Sequence, residues 1–147
     1  MIVESPQFAR ATVNWIWAEL MGAGIVDPPY DFDLARQDPN AQLPPPWTVQ
    51  PSHPELLDAL AKDFKEHNYD LRYLIELITK SATYQLSSYY EGQWKEEYAR
   101  YFARHFVRRL AAEELFDAIS EATGVFPSIQ ISGSTAKVHY VMQTRSS

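Results

Sequence analysis

Seven of the chain's ten prolines fall between Pro28 and Pro51, and three of them are consecutive in Pro44-Pro45-Pro46-Trp47. Proline fixes its own φ, lacks an N–H donor and disfavours helix in the residue before it. No helix or central strand therefore runs through this stretch, and any core must be built by the sequence on either side. A connection of this length is unusual in a compact domain unless it has work to do. It is expected to be a strap packed down by Tyr30, Phe32, Leu43 and Trp47, with a mobile insertion as the alternative. Pro-rich chain also favours polyproline II, a form that docks into aromatic grooves.

The flanks read as helices. Ser5-Pro6 is a capping residue followed by proline at the first helical position, and no Pro or Gly interrupts the run to Met21, where Gly22 suits a left-handed cap. On this helix Phe8, Thr12, Trp15 and Ile16 share one side and Trp17 and Met21 the other, so cover is expected on more than one face. A second helix opens at Ser52-His53-Pro54-Glu55 with Ser52 as cap. Leu56, Leu57, Leu60, Phe64 and His67 form its apolar line, Asp58 and Lys62 are spaced to pair, and Asn68 is its stop. Asp70 caps a third, carrying Leu71, Leu74, Ile75 and Ile78. A fourth is predicted from about Gln93 to Val107, with Trp94, Tyr98, Tyr101, Phe102 and His105 on one side. A fifth spans Ala112 to Ala122, with Leu115, Phe116 and Ile119 inward and Gly124 as its end. From Phe126 to Met142, Ile129, Ile131, Val138, Tyr140 and Met142 alternate around Gly133 as in a strand or hairpin. The expectation is a mainly α fold: about five helices in a compact bundle, a long Pro-rich loop over 28–51 and a short β-like tail over 125–147. The length of 147 residues suits a single domain.

Composition removes several chemistries. There is no Cys, hence no disulfide, thiolate metal site, covalent haem attachment or thiol nucleophile within this sequence. No apolar run reaches the roughly 20 residues of a membrane span. The net charge of -6 argues against nucleic acid as a partner. Charge is unevenly distributed, however. Residues 1–70 hold 11 acids and 4 bases, whereas residues 100–109 hold Arg100, Arg104, Arg108 and Arg109 and no acid. Pairing of these arginines with the acidic half is expected, with an anion-binding face as the alternative.

Metal templates are also missing, since there is no helical His pair at four-residue spacing. Asp27, Asp31, Asp33 and His53 could gather around a hard cation, but the glycine and terminal glutamate of a calcium loop have no counterpart. Nothing resembles a strand-Ser-helix nucleophile turn or a phosphate-cradling glycine loop. No cofactor is expected in this chain.

The residues nevertheless resemble a known family. Phe8-Ala9-Arg10-Ala11-Thr12-Val13-Asn14, Trp17, Gly22-Ala23-Gly24-Ile25-Val26 and Asp31-Phe32 are similar to its opening. Pro51-Ser52-His53-Pro54-Glu55-Leu56-Leu57-Asp58, Tyr69-Asp70-Leu71, the run from Ser81 to Ser88 and Arg108-Arg109-Leu110 follow in order. This is the C-terminal domain of unknown function of large Planctomycete-type, cytochrome-c-associated surface proteins, the PSD family. The resemblance covers about residues 5–124. It implies an exported, extracytoplasmic setting beside a haem-binding segment elsewhere in the parent protein, in bacteria that degrade complex polysaccharides. It supplies no catalytic residue. Trp15 stands where a basic residue is usual, Glu76 where Arg is frequent, and the loop before Pro51 is longer than usual. The family pattern continues beyond residue 147, so the chain is expected to be a fragment of a multidomain protein.

On this reading the chain is an accessory or binding domain, with neighbouring domains and a second copy of itself as expected partners. Asn14, Asp31, His53, Arg108 and Arg109 are the candidate binding residues, as polar positions flanked by apolar ones within the matching motifs. The alternative is a share of a polysaccharide-active or redox enzyme, which requires Asp31, His53 and Arg109 to converge.

Overall fold

The computed structural model describes residues 5–38, 40–130 and 137–141. The fold is mainly α. Helices α1 (Pro6–Met21), α2 (Pro54–Glu66), α3 (Leu71–Thr79) and α4 (Ala112–Thr123) are joined by two short 3-10 turns, Leu34–Arg36 and Glu96–Tyr101. A two-stranded antiparallel hairpin pairs β1 (Ile129–Gln130) with β2 (Lys137–Val138), Ile129 opposite Val138. Gly133, Ile131 and Met142 lie outside the described residues. The chain divides into two compact units between Val107 and Arg108.

The first unit is organised around α1. Gly22 closes this helix at φ 84, and its N–H donates to Ala18 O. The buried line is Ala9, Val13, Trp17 and Met21, not the side led by Phe8 and Trp15. A four-residue step keeps these residues on one stripe, and the small Ala9 and Val13 allow close packing of α2 and α3. Ile16 and Leu20 pack at its edge, while Trp15 is exposed and donates from Nε1 to the Tyr30 hydroxyl at 3.1 Å. From α2 come Leu57, Ala61 and Phe64, from α3 Leu74 and Ile78, and from the loops Ile25, Val26 and Phe102.

Several local expectations are corrected. Ser52 does not cap α2. Its hydroxyl and N–H both donate to Ile25 O, and His53 occupies the cap position without a side-chain bond to the helix's own N–H groups. Asp58 pairs with Arg10 of α1 at 3.0 Å, a cross-helix partner nearer than Lys62, which sits 3.9 Å from Glu66. Asp70 does cap α3, accepting from the N–H groups of Arg72 and Tyr73. Asn68 and Tyr69 both turn left-handed after α2, at φ 53 and 60.

The predicted helix over 93–107 is the largest departure. Only Glu96–Tyr101 coils, as a 3-10 turn, and Phe102 ends it at φ 50. Aromatics are weak helix formers, and here each finds a different neighbour. Phe102 packs edge-on against Trp17 at 5.3 Å, Trp94 against Tyr90 and Tyr98, and His105 against Tyr84. The expected pairing of the arginine stripe with acids is replaced in part by aromatic contacts. Arg104 lies 4.0 Å over Trp94 and Arg100 5.4 Å over Tyr101.

In the second unit α4 ends at Gly124, φ 69, as expected. Glu114 accepts from the Ala111 N–H at its start, and Asp117 accepts from Val141 N–H at 2.7 Å. Leu115, Phe116 and Ile119 are not inward, Ile119 being 54% exposed. The buried residue of this helix is Ser120, whose hydroxyl donates back to Phe116 O.

Candidate binding cleft

The candidate site lies where the turn after α1 meets the Pro-rich strap. Asn14, fully buried on α1, fixes that turn. Its Nδ2 donates to Val26 O at 3.0 Å and Pro29 O at 3.1 Å, and its Oδ1 accepts from Val26 N–H at 2.8 Å. The chain comes close enough here that a Cβ on Gly24 would stand 2.2 Å from Val26 O.

The strap is not held by its aromatics as expected. Tyr30 is 76% exposed, Trp47 is also exposed, and Phe32 alone packs on the core. Arg36 does the holding instead. It is 6% exposed, donates from Nε to Thr48 O at 2.9 Å and from Nη2 to Asp27 O at 3.1 Å, and lies over the Trp47 ring. Its own carbonyl accepts from Gln50 N–H at 2.9 Å. A guanidinium can bridge three chain segments this way because its donors are fixed in a planar fork.

Between the strap and the Glu96–Tyr101 turn lies a cavity of about 300 Å³. Asp27, Arg36, Gln50 and Ser52 line one side, and Glu96, Glu97 and Arg100 the other, over an apolar patch that includes Ile25 and Phe102. Gln50 is 2% exposed, yet neither its Oε1 nor its Nε2 has a hydrogen-bond partner. Buried amides are nearly always satisfied, and both of these atoms are closed to a water-sized probe, so the orphaned pair lies within the wall of the cavity and not on its surface. A second depression, walled by Asp27, Asp31, Arg36 and Trp47, adjoins it through Arg36 and Thr48.

The sequence-derived candidates are placed as follows. Asn14 is consumed by its three backbone bonds. Asp31 is exposed at the second depression, beside Arg36. His53 follows the cavity residue Ser52, and its Nδ1 is 3.0 Å from Ser52 Oγ. That hydroxyl also donates to Ile25 O at 3.0 Å. Burial, and next the Arg100 guanidinium, hold the imidazole pKa below its ordinary value. Arg108 and Arg109 are exposed residues of the second unit. Sequence reasoning missed Arg36, Gln50, Glu96 and Glu97. Arg36 carried a signal, as the lone base between Arg10 and Lys62 in a stretch with Asp27, Asp31, Asp33 and Asp38. Gln50 carried none. Among the described residues, no three His, Cys, Asp or Glu side chains form a group that could hold a metal ion.

A family model described as PSD1, protein of unknown function (DUF1553), matches residues 2–146. No curated protein and no solved structure matches the chain.

Proposed function

Because the chain belongs to the PSD1 family of proteins of unknown function (DUF1553), we propose that it is an accessory binding domain of a larger exported, cytochrome-c-associated protein linked to polysaccharide use. One observation carries the binding part: a cavity of about 300 Å³ lined by Arg36, Glu96, Glu97 and Arg100 beside the apolar Ile25 and Phe102. That volume is at the lower end of small-molecule pockets, and polar groups converging on such a space are the usual mark of one. The exported setting and the haem-bearing neighbour rest on the motif resemblance. No haem is held by this chain in that arrangement, and its partners are the neighbouring domains.

Thermal unfolding of the full chain against neutral, anionic and cationic polar solutes tests the binding reading. A ligand present at a hundred times its dissociation constant adds about 2.7 kcal/mol. The gain should fall in Arg100→Gln, on the cavity wall, and a panel with no effect on the wild type would remove the reading. The setting is tested by the parent reading frame, which should carry an export signal and a Cys-x-x-Cys-His haem motif upstream. Self-association of the chain belongs to the same reading. Sedimentation as a clean monomer at high concentration would remove it.

A second reading, a share of an enzyme site, is favoured by His53, whose ring packs 5.9 Å from that of the cavity residue Phe102 and whose pKa burial holds below its ordinary value. Catalysis by the parent protein that is unchanged in His53→Gln would dispose of it.

A further inference from the structure

We propose that Arg108-Arg109 is a processing site, where an endopeptidase that reads a basic side chain before the scissile bond cuts the chain between its two units.

An extended peptide in a binding groove is held through its main-chain N–H and C=O groups, as an added strand is. A segment is therefore cut readily when those groups are free and nothing around it has to unfold first. From His105 to Ala111 the chain forms no helix or strand. Val107, Arg108, Arg109 and Leu110 are four exposed residues in succession, Val107 at 83%. None of the four makes a hydrogen bond or an ion pair among the described residues. The boundary between the two compact units falls inside this run. A cut there leaves the whole buried cluster, from Ala9 to Phe102, on one piece.

The neighbouring sequence suits the same reader. A protease that recognises arginine does so with a carboxylate in its specificity pocket, so acids beside the bond oppose it, and a proline there lacks the N–H that the groove needs. His105 to Ala112 contains no acid and no proline. Other basic residues are less open. Arg10, Lys62 and Arg72 lie within helices, Arg36 is buried, and Arg104 is half-buried over Trp94. Lys95 is exposed, but Glu96 and Glu97 follow it and its ammonium is 3.7 Å from Glu97. The reaction is hydrolysis. Water adds across the Arg109–Leu110 peptide bond, its hydroxyl going to the Arg109 carbonyl carbon and its proton to the Leu110 nitrogen.

The first test treats the full chain with limiting trypsin and reads the products by intact mass. The first product should end at Arg108 or Arg109, and the piece beginning at residue 1 should accumulate. Replacing both exposed arginines, Arg108→Gln with Arg109→Gln, should slow the first cut at least about tenfold, because a pocket built to pair a guanidinium rejects a neutral amide. A first cut at any other lysine or arginine would overturn the proposal, as would a double variant cut as fast as the wild type or a long piece lost as fast as the full chain. The second test separates processing from mere susceptibility. The parent protein from its own cells, digested with a glutamate-specific protease, should yield peptides ending at Arg108 or Arg109, and their absence would overturn the proposal.

Discussion

At the scale of single residues, the polar groups that matter most here serve the backbone. Asn14 satisfies one N–H and two carbonyls of the turn after α1 from a fully buried position. Asn14→Leu removes every partner at once and leaves those groups unpaired in the core. Each orphan costs about 1–3 kcal/mol, so a loss of about 4 kcal/mol is expected from urea titration. Gly24→Ala belongs to the same turn, and its Cβ would meet Val26 O, which is backbone and has little freedom to move. A cost of about 3 kcal/mol is expected by the same measurement. His53 gives the fold a pH dependence. Its folded pKa lies below the unfolded value of 6.5, from burial first and Arg100 second. The unfolded chain therefore binds the proton more readily. Its contribution to stability is fully present above pH 6.5 and is lost as pH falls through the folded pKa. His53→Gln should flatten that part of the stability profile, and Arg100→Gln should only reduce it, because burial is the larger cause.

At the scale of elements, what the sequence made legible is what amphipathic periodicity controls. Helices α2 and α3 and the stops at Gly22 and Gly124 follow from caps and apolar spacing, and the structure places them within a residue or two. The segment from Trp94 to His105 has helical spacing too, but its aromatic rings pack against scattered neighbours, and tertiary contacts override the local pattern. The candidate cleft was illegible for a related reason. Its walls come from segments some 45 residues apart, and the character of Gln50 depends on what fails to reach it, which no local pattern encodes. The strap adds a further lesson. Its aromatics suggested hydrophobic packing, yet a buried arginine ties it down through carbonyls. Arg36→Leu should release it, with amide exchange at Gln50, whose N–H donates to Arg36 O, accelerating about tenfold or more while amides within α2 keep their protection.

At the scale of the whole molecule, the buried cluster and the cleft both belong to the unit ending at Val107. All twelve buried apolar residues of the cluster, from Ala9 to Phe102, lie in it. Residue count says nothing of where within the chain contacts concentrate. A unit that contains its own closed core carries the contacts needed to unfold cooperatively by itself. A chain ending at Val107 is therefore expected to keep a single urea transition with about 5 kcal/mol or more of stability. The measurement is clean because all four tryptophans, Trp15, Trp17, Trp47 and Trp94, sit in that unit, so their fluorescence reports it alone. A broad, sloping loss of signal in the shortened chain, where the full chain shows a sharp one, would mean that residues beyond Val107 supply stability that the core cluster lacks. A sharp transition of unchanged midpoint would place the stability of this core within the first 107 residues.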